Sequence, residues 1–463
     1  MEQAGGTAPI DLTAIVKAYD VRGLVGSQLT ADVARAIGGA FAVAMAAEGA
    51  GAVVVAHDMR DSSPELAAAF ADGVCAAGLD VVAAGLGSTD LLYYASGSLH
   101  LPGAMFTASH NPAAYNGIKL CRAGAVPVSM DTGLAGIRDH AAELLAGSAH
   151  LEAPRRGGIT ERSLLAGYAA HLRGLVDLSG IRPLTVVVDA GNGMAGYTVP
   201  AVFGGLPITV QPLYFELDGS FPHHEANPLD PANLVDLQAA VSAAGADLGL
   251  AFDGDADRCF VIDERGQAVS PSAITALVAT RELAKRPGAT ILYNLITSRA
   301  VPQIVAEHGG RSVRTRVGHS YIKADMATHG AVFGGEHSAH YYFEDFYRAD
   351  TGMLAALHVL AALGEQDRPL SELVAGFDRY AASGEINSTV ADIPDRLAAV
   401  RRWATRTGGS VDELDGLTVD LPDGSWANVR ASNTEPLLRL NVEAADVGTM
   451  TRLRDELLTL IRS

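Results

Sequence analysis

The strongest constraint on the fold is an alternation of short apolar runs with helical segments in the first third of the chain. Residues 52–56, 80–84 and 103–108 are apolar runs of strand length. Thr30 can cap a helix before the first run, and Ser63, with proline and glutamate after it, is typical of a helix start before the second. Buried strands that alternate with helices predict a largely parallel α/β sheet.

The same pattern restarts twice, and a different pattern ends the chain. An apolar strand at 184–189 opens a second round, and residues 260–365 form a third. Residues 416–443 instead indicate antiparallel strands, followed by a closing helix. We therefore predict an α/β fold with three similar mixed-sheet α/β domains and a C-terminal α+β domain. The predicted domain boundaries are 1–156, 157–262, 263–370 and 371–463.

Composition and charge narrow the classes of partner. The formal net charge is −19, which argues against nucleic acid and anionic membrane as partners because both need a basic face. A small anionic substrate needs only a locally basic pocket, and the chain keeps just four lysines. No run of about 18 apolar residues indicates a membrane span, and the N-terminus does not resemble a signal peptide. Three widely spaced cysteines predict neither a disulfide framework nor a zinc site. We expect a cytoplasmic protein.

A candidate phosphate carrier lies where the third apolar run ends. The segment reads Thr-Ala-Ser-His-Asn-Pro, so Ser109 lies at the mouth of a predicted strand with His110 beside it. Lys119 follows ten residues later. A hydroxyl flanked by a cation and hydrogen-bonding groups suits a residue that carries a phosphoryl group.

A candidate metal site follows the apolar strand at 247–252. In an extended loop, Asp253, Asp255 and Asp257 would point to one side, and their carboxylates would repel one another without a cation between them. Oxygen ligands favour Mg²⁺ or Ca²⁺. An EF-hand is disfavoured because Arg258 stands where that loop needs glycine. A solvated acidic turn is the remaining alternative, and the small residues between the acids argue against it.

Two further polar segments suit a sugar phosphate. Glu336, Ser338 and His340 would share one side of an extended segment, where they could recognise vicinal hydroxyls. A polar turn with a core histidine is an equal alternative for that segment alone. The segment that begins at Arg430 supplies a guanidinium, hydroxyls and an amide, a set that fits a bound phosphate. Taken alone, this second segment reads more simply as a turn that enters a strand.

Taken together, these motifs resemble the α-D-phosphohexomutase superfamily, and within it the bacterial phosphomannomutase/phosphoglucomutase family. The four motifs occur in that family's order and approximate spacing over essentially the whole chain. The resemblance implies four domains around a central cleft, with a phosphorylated Ser109. It implies one Mg²⁺ per chain on Ser109, Asp253, Asp255 and Asp257. The implied substrate-binding residues are Tyr19, Arg258, His319, Glu336, Ser338, His340, Arg430, Ser432, Asn433 and Thr434.

The mechanism that the resemblance implies is a phosphoryl exchange. Phosphorylated Ser109 donates to a hexose monophosphate, the bound 1,6-bisphosphate turns end for end, and its other phosphate returns to the serine. Hexose 1,6-bisphosphate is the implied activator, and hexose phosphates are the implied partners. His340 and Lys119 are the candidates for proton transfer, and His110 and Arg22 complete the implied catalytic set.

The substrate is predicted from the sugar-recognition segment. It contains His337 and ends in His340, which resembles the phosphomannomutase branch of the family. We therefore predict interconversion of mannose 6-phosphate and mannose 1-phosphate. The alternatives are a phosphoglucomutase, a dual-specificity enzyme, and, from other classes, a non-catalytic sugar-phosphate-binding protein or a Ca²⁺-binding module. The sequence makes no prediction of oligomeric state.

Overall fold

The structure, a computed structural model, describes residues 11–431 and 437–463, apart from the side chains of His319 and Ser320. The chain divides into two compact units. The first runs up to Val269 and adds Ser338–Ser371, and the second comprises Ser270–His337 and Glu372–Ser463. Within the described residues, no helix combines the length and apolar character needed to cross a membrane.

The strands alternate with helices along most of the chain, as the sequence predicts. The strands of the first unit's main segment are β1 (Asp20–Leu24), β2 (Ala52–His57), β3 (Asp80–Leu86), β4 (Gly103–Phe106), β5 (Tyr115–Arg122), β6 (Val126–Pro127), β7 (Ile159–Glu161), β8 (Leu184–Asp189), β9 (Ile208–Leu213), β10 (Leu248–Phe252), β11 (Cys259–Asp263) and β12 (Ala268–Val269). The later strands are β13 (Thr290–Asn294), β14 (Arg311–Thr315), β15 (Ala331–Gly335), β16 (Tyr341–Phe343), β17 (Ala349–Asp350), β18 (Ala381–Ala382), β19 (Ile386–Thr389), β20 (Ser410–Asp412), β21 (Leu417–Asp420), β22 (Trp426–Ala431) and β23 (Leu437–Ala444).

The α-helices follow the same order. They are α1 (Leu12–Ile15), α2 (Ala31–Ala47), α3 (Ser63–Ala76), α4 (Thr89–Leu99), α5 (Leu134–Leu145), α6 (Leu165–Leu175), α7 (Ala195–Phe203), α8 (Val235–Ala244), α9 (Pro271–Lys285), α10 (Ala300–Glu307), α11 (His319–His329), α12 (Gly352–Gly364), α13 (Leu370–Val374), α14 (Ile393–Thr407) and α15 (Val447–Arg462). Short 3₁₀ turns lie at Ala123–Ala125, Met130–Thr132, Pro231–Leu234 and Glu344–Phe346.

The first sheet is mixed and has the order β1-β5-β4-β2-β3-β7, with β6 against β5. β2 pairs in parallel with β3 and β4, whereas β5 is antiparallel to both β4 and β1. The Thr30 side chain accepts a hydrogen bond from Val33 N and so caps α2, as predicted. Parallel strands end at the same edge of a sheet, so the loops after β2, β3 and β4 leave on one side.

The second sheet, also in the first unit, has the order β12-β11-β10-β8-β9. β8 is parallel to β9 and β10, and β11 returns antiparallel to β10. The loop from Asp253 to Arg258 connects β10 to β11. The acidic loop therefore leaves the carboxyl end of a buried parallel strand, as the sequence predicts.

In the second unit, β13 is parallel to β14 and β15, while the C-terminal part is antiparallel. Its strand order is β18-β23-β22-β21-β20, with β19 also against β23. The closing helix α15 buries Leu453, Leu457 and Ile461, and Leu460 is partly buried against the same core. This confirms the predicted α+β character of the chain's end. The four domain boundaries remain predictions, and Ser338–Ser371 packs with the first unit.

Two loops differ from the extended geometry that the sequence predicts. Ala256 and Ala339 have φ values of 59° and 65°, so both the acidic loop and the segment before His340 bend back on themselves. Ala256 N donates to Asp253 O at 3.0 Å, which closes the acidic loop as a turn. The prediction of extended segments is wrong at both places because a residue with a left-handed φ interrupts the alternation of a strand.

Candidate active site

Ser109 lies in a tight loop just after β4. Its side chain is buried, and its φ of 49° is in the left-handed region, which is uncommon for a residue other than glycine. Its backbone N–H donates to Thr107 Oγ1 at 2.9 Å. Its Oγ donates to Asp253 Oδ2 at 2.7 Å and lies 3.2 Å from His110 Nδ1. The predicted phosphate carrier and the predicted metal loop are therefore in direct contact.

The three predicted metal ligands converge. Asp253, Asp255 and Asp257 are buried, and each offers a carboxylate oxygen within 4.8 Å of the others. Burial raises the pKa of Asp253 to about 7, against the effect of Arg258, whose Nε donates to it at 3.0 Å. Burial also opposes ionisation of Asp257, but Lys119, His340 and Arg258 outweigh it and hold the pKa of Asp257 well below its usual value.

Lys119 is the cation that lies among these carboxylates. It is on β5, and its Nζ donates to Asp255 Oδ2 and Asp257 Oδ2, both at 2.7 Å. Burial lowers the pKa of a lysine, but these two carboxylates outweigh it and raise the pKa of Lys119 well above its ordinary value. Oδ1 of Asp255 is buried and accepts no hydrogen bond from the described residues. The group thus has a spare buried oxygen, which fits a hard divalent cation.

Thr89 is a site residue that the sequence reasoning missed. It is the first residue of α4, and its Oγ1 donates to Asp255 Oδ2 at 2.5 Å. Its backbone N–H donates to Asp255 O at 3.0 Å, so one residue holds both the backbone and the carboxylate of Asp255. The available sequence signal is its position just after β3, at the sheet edge where the loop of Ser109 also begins.

His340 approaches the metal loop from a later part of the same unit. Its Nε2 lies 3.5 Å from Asp257 Oδ1 and 4.0 Å from Asp350 Oδ2, and its Nδ1 lies 3.0 Å from Ser338 Oγ. Asp350 is buried at the end of β17, and sequence reasoning did not select it. It lies between Arg348 and Thr351 in a segment with other charged residues, so the sequence gives no signal that separates it from them.

Two further predicted residues lie at or near the loop of Ser109. Arg22, on β1, donates to Asn111 Oδ1 at 2.5 Å and to Asp20 Oδ2 at 2.6 Å. Tyr19 lies just before β1 and is partly buried. Burial and the nearby cations Arg258 and Arg22 lower the pKa of His110 well below its ordinary value, which favours a neutral imidazole.

The other predicted substrate-binding residues belong to the second unit or lie outside the described residues. Glu336 is buried and accepts hydrogen bonds from Asn294 Nδ2 at 3.3 Å and Gly318 N at 3.1 Å. Arg430 is buried, 3.2 Å from Glu385 Oε2. Ser432, Asn433, Thr434 and the side chain of His319 lie outside the described part of the chain.

Comparison with known proteins identifies the family. Four models named for the phosphoglucomutase/phosphomannomutase family match in order: α/β/α domain I at residues 13–145, domain II at 166–266, domain III at 270–380 and the C-terminal domain at 385–460. The chain belongs to this family. It is therefore an isomerase of the phosphohexomutase class, as the sequence predicts, and the predicted fold class is confirmed.

Similar proteins cover almost the whole chain. A phosphomannomutase of Escherichia coli is 39% identical over 457 residues, which cover 96% of this chain and 98% of that protein. A phosphomannomutase/phosphoglucomutase of Pseudomonas aeruginosa is 36% identical over 451 residues, 96% of this chain and 95% of that protein. The crystal structure of a phosphoglucomutase/phosphomannomutase family protein from Burkholderia thailandensis has a TM-score of 0.88 at 34% identity, covering 98% of this chain and 97% of that one.

Proposed function

We propose that the chain interconverts mannose 6-phosphate and mannose 1-phosphate through phosphorylated Ser109 and a bound hexose 1,6-bisphosphate. The observation that carries the proposal is the 2.7 Å contact between Ser109 Oγ and Asp253 Oδ2. The Ser109 hydroxyl donates to one of three converging buried carboxylates, a polar contact that core packing alone does not require. The same serine is well placed to carry a phosphoryl group beside a divalent cation.

The proposed roles follow from charge and distance. Asp253, Asp255 and Asp257 would hold one Mg²⁺ together with a phosphoryl oxygen on Ser109, and the ion supplies charge stabilisation to the transferring group. Arg258 balances Asp253 at 3.0 Å, which keeps the buried loop near neutrality. Lys119 and His340, both within 4.0 Å of the acidic loop, are the proposed groups for proton transfer with the sugar hydroxyl. His110 and Arg22 orient the loop that carries Ser109.

The remaining roles concern the substrate. We assign Glu336 and Ser338 to the sugar hydroxyls, and Arg430, Ser432, Asn433 and Thr434 to the phosphate that is held but not transferred. Tyr19 and His319 complete the proposed substrate contacts. Hexose 1,6-bisphosphate is the proposed activator because it rephosphorylates a serine that has lost its phosphate. The proposed location of the enzyme is the cytoplasm, where sugar phosphates are available.

A second candidate is turnover of glucose phosphates, alone or in addition. The Pseudomonas aeruginosa relative carries both activities in its name. Mannose and glucose differ only at C2, so the preference between them depends on the contacts made to one hydroxyl.

A coupled assay with Mg²⁺ and a trace of hexose 1,6-bisphosphate tests the proposal. We expect kcat/KM for mannose 1-phosphate to equal or exceed that for glucose 1-phosphate. Turnover of glucose 1-phosphate alone would show that the enzyme is a phosphoglucomutase and not a phosphomannomutase. Absence of turnover with either sugar would contradict both assignments.

Replacing Thr89 tests how the metal loop is held. Thr89→Val keeps the volume but removes the hydroxyl that donates to Asp255, whereas Thr89→Ser keeps it. Because a hydrogen bond to a charged group contributes about 1.5–3 kcal/mol, we expect Thr89→Val to weaken Mg²⁺ binding by about 10-fold or more. Calorimetric Mg²⁺ titration of the dephosphorylated protein measures this. Equal affinity in the valine and serine variants would show that the hydroxyl does not organise the site.

A further inference from the structure

Arg60 is a buried cation to which the proposed mechanism gives no role. It follows β2, and its residue is 2% exposed. Its Nη1 donates to Pro112 O and Tyr115 O, both at 3.0 Å. Its Nη2 donates to Ser109 O at 2.9 Å and to Asn111 O at 2.6 Å. One guanidinium thus contacts three backbone carbonyls of the loop that carries Ser109 and the carbonyl of Tyr115, the first residue of β5.

The guanidinium is itself held in place. Arg60 Nε lies 3.3 Å from Asp58 Oδ2, and Asp58 is fully buried. Asp58 Oδ1 accepts hydrogen bonds from Ser63 Oγ at 2.6 Å and from Arg60 N at 3.0 Å. The ring of Phe221 lies 5.1 Å from the guanidinium carbon, which is within the range of a cation–π contact. An anchored planar donor of this kind has little freedom to move away from the loop.

Ser109 O is the buried one of these four carbonyls, whereas Asn111 and Tyr115 are partly buried and Pro112 is exposed. The loop is neither helix nor strand from Thr107 to Ala114, and Ser109 has an unfavourable left-handed φ of 49°. Gly254 also packs closely against Ser109 O, because a Cβ added to this glycine would lie 2.4 Å from that oxygen. A buried carbonyl without a donor costs about 1–3 kcal/mol, so loss of the Arg60 guanidinium would favour a different loop conformation around Ser109.

We propose that Arg60 is a positioning residue that holds the loop in the one conformation that points Ser109 Oγ at the metal loop. Arg60 does not touch the reacting atoms; it acts through the backbone of residues 109–115. The inference rests on the proposed function, because it concerns the same serine. Lysine cannot replace the arginine, because the two terminal nitrogens of the planar guanidinium each donate to two carbonyls and a single ammonium group cannot reach all four.

The test compares Arg60→Lys with wild type by steady-state kinetics and by hydrogen–deuterium exchange. We expect kcat to fall at least about 100-fold with KM within about 3-fold, because misplacing a reacting group by about 1 Å costs that much in rate. We also expect faster exchange confined to residues 107–117. Arg60→Ala should recover part of its kcat when free guanidinium is added below denaturing concentrations, which a merely structural role would not produce.

The controls separate loop position from general stability. Phe41 is a buried residue of α2 in the hydrophobic core that packs on the first sheet. Phe41→Leu removes volume from this core, so it should lower the unfolding temperature but leave kcat unchanged. Asp58→Asn keeps Arg60 but removes its ion pair, so it replaces the Arg60 variants if those do not fold. We expect this variant to lose about 10-fold in kcat and to show faster hydrogen–deuterium exchange in residues 107–117. A kcat of Arg60→Lys within 3-fold of wild type, or exchange unchanged in residues 107–117, would overturn the inference. An inactive wild type would instead overturn the proposed function, while the exchange data would still test Arg60.

Discussion

Ser109→Ala is expected to lower kcat for hexose phosphate interconversion by at least about 10³-fold, because the substitution removes the atom that carries the phosphoryl group. The loop should keep its conformation, since Arg60 holds it through backbone carbonyls and the Thr107 hydroxyl accepts from the backbone N–H of residue 109. Substrate affinity should therefore change little. Steady-state kinetics with saturating Mg²⁺ and hexose 1,6-bisphosphate measure the loss.

A second readout ties that loss to phosphorylation. After incubation with hexose 1,6-bisphosphate, the intact mass of the wild type should increase by one phosphoryl group, and that of Ser109→Ala should not. Ser98→Ala is the matched control because it removes an exposed hydroxyl from the last turn of α4. This variant should keep both the activity and the mass increase. Turnover in Ser109→Ala close to the wild-type rate would exclude the phosphoserine mechanism.

The contact between Ser109 and the acidic loop was expected from the family resemblance, which places both at one metal ion. Both segments follow apolar strands, and loops at the carboxyl ends of parallel strands are where α/β proteins place ligands. Lys119 was a candidate because lysines are few in this chain and this one lies ten residues after Ser109, but its contacts with Asp255 and Asp257 were not predicted. Strand ends predict where each loop leaves its own sheet, but the loops of Ser109 and Asp253 follow strands of different sheets, so strand ends alone do not bring the two together.

The contacts of Thr89 and Arg60 could not be predicted in the same way. Thr89 and Asp255 are 166 residues apart, and Arg60 meets carbonyls about 50 residues later in the chain. A threonine or arginine after a strand is common on solvent-exposed loops, and only tertiary packing shows what each one contacts. The bent shape of the two polar loops was missed for a related reason: alanine at a positive φ has no sequence signature, unlike glycine.

The charge arrangement in the acidic loop has a consequence for metal binding. Lys119 Nζ lies 2.7 Å from both Asp255 and Asp257, which is the position between carboxylates that a cation would otherwise occupy. A divalent ion on these Oδ2 atoms would compete with Lys119, whereas an ion on the spare Oδ1 of Asp255 would not. A lysine released from the carboxylates becomes available to the transferring phosphoryl group or to the sugar hydroxyl. If the ion takes the oxygens that Lys119 contacts, metal binding and the placement of Lys119 are coupled.

Asp255→Asn is expected to lower kcat by about 10³-fold, because a metal ion supplies several kcal/mol of charge stabilisation and the variant loses one of its ligands. The fold should survive, since asparagine can still accept from Thr89 and Lys119, and fewer buried carboxylates repel one another. Without metal, the unfolding temperature should equal or exceed that of the wild type.

With Mg²⁺ at about 100 times its Kd, the wild type should gain about 2.7 kcal/mol of stability and the variant much less. Asp230→Asn, an exposed helix-capping position where asparagine also caps, controls for lost charge and should retain both properties. Normal activity of Asp255→Asn at low Mg²⁺ would contradict the ligand assignment, and it would leave Lys119 as the cation that this loop was built to hold.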